Sequence, residues 1–139
     1  MMDYAKCTFP TTDSRIVVQE NRSKFEVLNR NRIEVKKVEV DGCLINDGRE
    51  KCDWIIAVDS INKAFFIELK GCDVDKAISQ LKSTLEHTKS KYQTFDRSCF
   101  AVTTRVPKHG ASMRKKSLEF FRQTKTTLSI KNLKSQVAI

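Results

Sequence analysis

Two short apolar runs separated by a polar turn are the feature that most constrains the fold of this chain. Residues 52–58 and 64–70 are rich in β-branched and aromatic side chains, and each run is shorter than an ordinary helix. The polar stretch 59–63 between them has a length typical of connections between antiparallel strands. The two runs therefore predict a β-hairpin, and the fold has to be built around a sheet.

The hydrophobic pattern predicts strands on both sides of this hairpin. Before it, strands are expected at residues 16–18, at 25–28 and over 33–40, the last changing face near Lys36 and continuing to residues 43–45. The sequence Asn46-Asp47-Gly48 predicts a turn, because these residue types tolerate positive φ. After the hairpin, two further strands are expected at residues 100–104 and 127–130.

Two helices are predicted in the second half of the chain. Apolar residues at helical spacing predict one helix from Asp73 or Asp75 to about Tyr92. A second helix is expected over residues 111–123 after a loop at 107–110; its apolar members are Met113, Leu118, Phe120 and Phe121. The order is a β-meander followed by helix, strand, helix and strand. This order predicts an α/β (α+β) fold with a mixed sheet and helices packed on it.

The chain has 139 residues, a length that predicts a single domain over residues 1–139. Residues 1–14 are expected to form a loose lead-in, and residues 131–139 a fraying tail. The apolar runs are too short to span a bilayer, and the first ten residues carry Asp3 and Lys6 without an apolar stretch. Neither a membrane span nor a signal peptide is therefore expected, which predicts a cytoplasmic (intracellular) protein.

The five cysteines agree with an intracellular location. They are odd in number and widely spaced, with no CxxC pair: Cys7, Cys43, Cys52, Cys72 and Cys99. This pattern is typical neither of a disulfide framework nor of a zinc ribbon. Most of them lie in or beside apolar segments, so we expect buried free thiols that pack as small hydrophobes.

The positive charge of the chain is concentrated in its second half. Residues 1–69 hold 11 Lys and Arg against 12 Asp and Glu, a net charge of −1, while residues 70–139 hold 15 against 5, a net charge of +10. Such asymmetry suggests a polyanionic partner, because Lys and Arg that neutralise phosphates release condensed counterions. The alternative is a solvated, soluble surface.

The hairpin can bring three polar side chains together. In an antiparallel hairpin the numbers of opposed residues have a constant sum. A loop of residues 59–62 gives 121 and sets Asp53 opposite Glu68, and closing the loop one residue later gives 123 and sets Asp53 opposite Lys70. Because alternate residues of a strand share a face, both registers project all three side chains from one face. A sum of 122 would send Asp53 to the other face.

Two acids and an amine on an apolar hairpin indicate metal-dependent hydrolysis. Neighbouring carboxylates repel each other and are costly to bury unless a cation joins them. A hard divalent ion such as Mg²⁺ (or Mn²⁺) prefers oxygen ligands of this kind. A metal-bound water can attack phosphorus, and an adjacent lysine can position that water and offset the phosphate charge.

The spacing of these residues resembles a known family. Asp53, followed after fourteen intervening residues by Glu68-Leu69-Lys70 at the end of an apolar strand, looks like the motif of the PD-(D/E)xK nuclease superfamily, which includes restriction endonucleases and Holliday-junction resolvases. The resemblance implies a restriction-endonuclease-like fold in which Asp53 and Glu68 bind the metal, the Leu69 carbonyl is a further ligand and Lys70 is the catalytic lysine. It also implies a polar residue on the following helix, for which Gln80 is the candidate.

The resemblance covers roughly residues 42–104 and has two departures from the family pattern. Cys52 occupies the position of the motif's proline. The superfamily usually begins with a helix that donates a further acidic residue, and no such helix is evident here. Four residues are candidates for that acid, and spacing favours none of them: Glu20, Glu26, Glu34 and Asp41.

Basic residues of the two predicted helices are candidates for nucleic-acid binding. Arg114, Lys115 and Lys116 cluster near the start of the second helix, where acidic residues are usually preferred, and Lys82 lies on the first. No zinc finger, helix-turn-helix or RNA-recognition motif is evident, so contacts to the phosphate backbone are expected rather than base reading.

The leading hypothesis is a Mg²⁺-dependent endonuclease that acts on DNA, with a homodimer expected because cutting two strands commonly requires two active sites. One alternative is a nuclease-like module that binds nucleic acid or a protein partner without cutting. Another is a small accessory or immunity-type protein in which the three polar residues are vestigial. No membrane partner is expected.

Overall fold

The computed structural model describes residues 2–69, 71–105 and 110–139 of the chain. Lys70 and most of the loop predicted at residues 107–110 lie outside the described residues. The helices are α1 (Tyr4–Cys7), α2 (Val74–His87), α3 (Lys89–Tyr92) and α4 (Gly110–Thr124). The strands are β1 (Thr8–Thr11), β2 (Arg15–Glu20), β3 (Ser23–Leu28), β4 (Val35–Glu39), β5 (Trp54–Val58), β6 (Lys63–Glu68), β7 (Asp96–Thr103), β8 (Thr127–Asn132) and β9 (Lys134–Ala138).

The strands form two mixed sheets. The large sheet has the order β1-β4-β5-β6-β7-β8, antiparallel from β1 to β6 and parallel from β6 to β8. The small sheet has the order β2-β3-β9, in which β9 runs parallel to β3. Parallel neighbours need a crossover connection, which α2 and α3 provide before β7 and α4 provides before β8. The predicted mixed α/β fold is confirmed, and no helix in the described ranges is long and apolar enough to cross a membrane.

Two hydrophobic cores lie on opposite faces of the large sheet, because successive side chains of a strand alternate between faces. On one face, Phe66 of β6 belongs to the same cluster as Leu81 of α2 and Phe120 of α4. On the other face, Phe65 of β6 packs against Phe25 of the small sheet, with 6.2 Å between ring centroids. The large sheet is thus covered by helices on one side and by the small sheet on the other.

The two ends of the chain are more regular than the sequence predicts. In the expected loose lead-in, β1 pairs with β4, with Thr8 opposite Val38. In the expected fraying tail, β9 pairs with β3, with Lys24 opposite Lys134. Both expectations were wrong because these segments are short and largely exposed, so they carry little hydrophobic periodicity. Their order comes from backbone pairing with strands distant in the chain.

Two predicted elements are divided or cut short. The helix expected to reach Tyr92 is interrupted at Thr88, whose ψ of 10° separates α2 from α3. The strand expected to continue to residues 43–45 ends at Glu39, and a single bridge between Asp41 and Ile45 follows it. The left-handed φ of +86° at the intervening Gly42 turns the chain here, a conformation that glycine adopts without strain.

The prediction of free thiols was wrong for one pair of cysteines. Cys7 and Cys43 form a disulfide, with a Cα–Cα distance of 5.8 Å. The pairing of β1 with β4 brings the end of α1 next to the turn after β4, a contact that linear spacing does not reveal. Cys52 and Cys99 are buried free thiols as expected, and Cys72 is free and exposed. Because disulfides persist mainly in oxidising compartments, this bond argues against the predicted cytoplasmic location.

Replacing Cys43 with alanine should lower the free energy of unfolding by about 3–4 kcal/mol, because the disulfide spans a sequence separation of 36 residues and restricts the unfolded chain. Urea denaturation followed by circular dichroism measures the change. Cys72→Ala, at the exposed free thiol, is the matched control and should stay within about 0.5 kcal/mol of wild type. Equal unfolding midpoints for oxidised and dithiothreitol-treated wild type would contradict this role.

Candidate active site

The β5–β6 hairpin has the register that a loop of residues 59–62 predicts. Trp54 pairs with Ile67, so opposed residue numbers sum to 121 along the hairpin. A single 3-10 turn, Asp59–Ile61, closes it. Beyond the Trp54–Ile67 pair the regular ladder stops, and the Asp53 amide donates to the Ile67 carbonyl. A register sum of 122 is therefore excluded for the paired residues of the hairpin.

Glu68, the last residue of β6, follows the alternation of the strand onto the face of the large sheet that α2 covers, whereas Asp53 lies in a bend just before β5. Phe66, two residues before Glu68, belongs to the core cluster on the helical side. Trp54, by contrast, packs against the cluster on the side of the small sheet. That the side chains of Asp53 and Glu68 share one face stays a prediction, and Lys70 lies outside the described residues.

Asp53 is held in place by hydrogen bonds to both neighbouring strands. Its amide donates to the Ile67 carbonyl at 3.0 Å, and its carbonyl accepts from the Val40 amide at 3.0 Å. Its carboxylate oxygen Oδ2 accepts from the Leu69 amide at 2.7 Å. Hydrogen bonds to an ionised acceptor are stronger than neutral ones, so this bond fixes the Asp53 carboxylate at the end of β6, beside Glu68.

The acidic pair is removed from solvent. Relative exposure is 4% for Asp53, 1% for Glu68 and 0% for Leu69. Burying carboxylates is costly unless hydrogen bonds or cations compensate them. Two buried carboxylates at one end of a hairpin supply the oxygen donors that a hard divalent cation prefers. Asp53 and Glu68 are therefore the side chains that could hold Mg²⁺ or Mn²⁺.

Helix α2 is tied to the site through Thr84. This fully buried residue accepts a hydrogen bond from the Cys52 amide at 2.8 Å and donates one to the Gln80 carbonyl at 3.0 Å. The bond anchors the helix to the residue that precedes Asp53. Gln80 is half-buried one turn earlier on the same helix face as Thr84. Its participation in the chemistry stays a prediction.

The pKa of the Cys52 thiol reflects its burial and the negative charges beside it. Burial raises the pKa of this thiol, and the negative charges of Glu68 and Asp53 raise it further. A hydrogen bond with Thr84 acts in the opposite direction without reversing the shift. The thiol therefore stays protonated at neutral pH, so Cys52 is a packing residue rather than a nucleophile.

The chain leaves β6 through a glycine turn that leads directly into α2. Gly71 has a left-handed φ of +78°, and its carbonyl accepts from the Thr104 amide at 3.1 Å, which ties the turn to the end of β7. The Asp73 side chain then caps α2 by accepting from the Lys76 amide at 3.0 Å. The first turn of α2 therefore lies close to the end of β6 that carries Glu68.

The four acids considered as further ligands are distributed over the molecule. Glu20 and Glu26 lie in β2 and β3, on the side of the large sheet opposite α2. Glu34 precedes β4. Near the start of β4, Lys36 pairs with Ala57, which lies close to the turn of the β5–β6 hairpin. Asp41 lies beside the site, where its amide donates to the Asp53 carbonyl at 3.4 Å. Within the part of the chain that the structure describes, no group of three or more His, Cys, Asp or Glu side chains could hold a metal ion.

The four basic residues predicted to contact nucleic acid differ in their surroundings. Lys116 of α4 forms an ion pair with Asp75 in the first turn of α2, at 2.6 Å, and Lys82 of α2 donates a hydrogen bond to α4. These contacts join the two helices. Arg114 and Lys115 are exposed on α4, where a phosphate backbone could reach them.

One contribution to the site was missed in the sequence. Thr84 lies between Leu81 and Leu85 in the buried stripe of α2, and its hydroxyl satisfies a backbone amide of the hairpin. A polar residue among core positions was the available signal, since buried hydroxyls need a partner. Its partner, the Cys52 amide, could be identified only from the packed structure.

The chain matches no family model, no curated protein and no solved structure. The interpretation of the site therefore rests on the residues of this chain, on their register, burial and hydrogen bonds.

Thr84→Val should lower the free energy of unfolding by about 1–3 kcal/mol, because the buried Cys52 amide loses its acceptor while the side-chain shape is kept. Denaturant titration measures the loss. Thr12→Val, at an exposed threonine, is the matched control and should be neutral. A neutral Thr84→Val would show that this bond does not anchor the helix.

In the folded protein, iodoacetamide should alkylate only Cys72, because Cys52 and Cys99 are buried and burial raises the pKa of both thiols. After unfolding without reductant, mass spectrometry should show three alkylated thiols, since Cys7 and Cys43 are joined. Five alkylated thiols in the unreduced, unfolded chain would contradict the disulfide. Rapid labelling of Cys52 in the folded protein would contradict its burial.

Proposed function

We propose that this protein is a metal-dependent endonuclease that hydrolyses phosphodiester bonds of nucleic acid, with DNA as the expected substrate. The observation that carries the proposal is the burial of two acidic residues, Asp53 and Glu68, at the same end of the β5–β6 hairpin. The resemblance of these positions to the PD-(D/E)xK motif supports the same reaction.

In this proposal the carboxylates of Asp53 and Glu68 and the carbonyl of Leu69 hold Mg²⁺ or Mn²⁺. When bound, such an ion lowers the pKa of a coordinated water and offsets charge on the phosphate. The Leu69 amide orients the Asp53 carboxylate through its hydrogen bond, so this ligand is positioned before an ion binds. Lys70, which follows Leu69 in the sequence, is proposed to position the attacking water, and Gln80 to line the site from α2.

The charge distribution supports a polyanionic substrate. Residues 70–139 carry a net charge of +10, from 15 Lys and Arg against 5 Asp and Glu. The ion pair between Lys116 and Asp75 holds α4 against the first turn of α2, close to the acidic pair. Arg114 and Lys115 extend the positive charge along the exposed side of α4. A nucleic-acid backbone that follows these residues would approach the candidate site.

A second function is favoured by one specific observation. The Asp53 carboxylate accepts a hydrogen bond from the Leu69 amide, which gives it a structural role that needs no metal. A nuclease-like domain that binds nucleic acid or a protein partner without cutting would retain Asp53 for this reason. Cleavage assays separate this module from the enzyme.

We also propose an intracellular, cytoplasmic location, where an enzyme of this kind would meet DNA, and a homodimer if both strands are cut. The Cys7–Cys43 disulfide is the observation against the location. Blocking free thiols at the moment of cell lysis, followed by mass measurement, determines whether this bond exists in the cell.

Purified protein should cleave linear or circular DNA in Mg²⁺ or Mn²⁺ and lose this activity in EDTA. Glu68→Gln and Lys70→Ala should each reduce the cleavage rate by about a hundredfold or more, because the first removes a charged ligand and the second removes the proposed assisting amine. Binding of the same DNA, measured by fluorescence anisotropy without cleavage, should change little in Lys70→Ala and should weaken steeply as salt rises.

Glu119→Gln, an exposed acid on α4, is the matched control for Glu68→Gln and should cleave like wild type. Branched DNA and RNA, tested in parallel, define the substrate class. DNA binding without cleavage of any substrate would exclude the enzyme and leave the binding module. Cleavage that persists in Glu68→Gln would show that another part of the chain, or a contaminant, carries the activity.

A further inference from the structure

An open groove runs between α4 and the outer edge of β8, away from the acidic pair. Its volume is about 520 Å³, and its walls are largely apolar. Met113, Leu118 and Phe121 of α4 form one wall, and residues 127–131 of β8 form the other. The groove is therefore bounded by a helix on one side and by the backbone of a strand on the other.

The helical wall exposes large apolar side chains. Phe120 turns into the core and is 1% exposed, whereas Leu118 and Phe121 are 61% and 46% exposed. Their placement on one side of a groove distinguishes them from single exposed hydrophobic residues, which need no explanation. Clustered, exposed apolar side chains beside a groove are typical of a surface that another molecule covers.

The strand wall is an open edge. β8 is the last strand of the large sheet, hydrogen-bonded to β7 along one side, and among the described residues no strand pairs with its other side. An unpaired edge presents a row of backbone donors and acceptors that can bind an added strand. A groove with a strand edge on one side and an apolar helix on the other suits an extended peptide.

We propose that this groove binds an extended, acidic and apolar segment of a partner protein, which adds to β8 as a further strand. Alternate side chains of the segment pack on Leu118 and Phe121, since every second residue of a strand faces the same side. Arg114 and Lys131 also line the groove, and no acidic side chain is among its described lining residues. Acidic residues of the segment pair with these two cations.

The same charges argue against a second copy of this chain as the occupant. A twofold pairing of β8 with β8 would bring Arg114 and Lys131 of both copies to one seam without acidic lining residues to compensate them. Juxtaposed like charges oppose association and disfavour the wrong partner. An acidic segment meets the groove with complementary charge instead. The groove shares no residue with the acidic pair, and its apolar wall and strand edge are separate from the proposed nuclease site; Arg114 is the one groove residue that also belongs to the surface proposed for nucleic acid.

A phage-displayed library of random peptides, selected on wild-type protein and counter-selected on the Leu118→Asp variant, tests the proposal. Enriched peptides should alternate apolar with other residues and carry acidic side chains. Synthetic copies should bind Leu118→Asp and Phe121→Asp about tenfold more weakly, or worse, because these changes remove apolar contacts and add repulsion. Ile61→Asp, at an exposed apolar residue in the β5–β6 turn, is the matched control and should bind like wild type.

Hydrogen exchange identifies the mode of binding, since a bound strand should protect backbone amides of β8 more than those of α4. Circular dichroism confirms that each variant remains folded, as expected for residues that are already exposed. The proposal is overturned if no peptide is enriched, if the enriched peptides lack acidic residues, or if they bind without protecting β8. It is also overturned if sedimentation shows a dimer that Leu118→Asp dissociates, because a second copy would then occupy the groove.

Discussion

The antiparallel register of β5 and β6 is the constraint on which the candidate site depends. A shift of one residue would move every side chain of a strand to the opposite face, and Glu68 of β6 would then lie in the core beneath the small sheet. The short turn Asp59–Ile61, followed by Asn62 with a left-handed φ of 51°, sets the register at one end. At the other end, the hydrogen bond from the Leu69 amide to the Asp53 carboxylate holds the strands together where regular pairing stops.

The candidate site and the core lie next to each other along β5 and β6. Phe66 and Leu81 require an apolar environment there, whereas Asp53 and Glu68 require compensation of their charge. The structure separates these demands along the strands, with apolar packing in the middle and polar contacts at the end. Thr84 marks the boundary, because it lies in the apolar stripe of α2 and yet satisfies a backbone amide of the hairpin. Such a compromise between packing and polar satisfaction is common where a fold carries a functional site.

Three residues of helix α4 lie in three different environments. Phe120 packs into the core, Lys116 joins the helix to α2, and Leu118 stays exposed beside the edge of β8. Of the four apolar residues named for this helix in the sequence, Phe120 is buried, whereas Leu118 and Phe121 are exposed. Helical periodicity indicates which residues share a face, but the width of the face that is buried depends on the neighbouring elements. Here the sheet ends at β8, so nothing described in the structure covers the outer part of that face.

The sequence by itself determined the local structure: the hairpin, its register options and the helices α2 and α4. These features depend on residues close in the chain. The hydrophobic period, two residues in a strand and 3.6 in a helix, and the turn residues predict them from the sequence alone. The tertiary structure alone decided what depends on residues far apart. Examples are the pairing of β9 with β3, the disulfide between Cys7 and Cys43, the ion pair between Lys116 and Asp75 and the open edge of β8. Backbone pairing and the approach of two side chains leave little trace in the spacing of a single sequence, because either partner is chemically ordinary until the fold brings the two together.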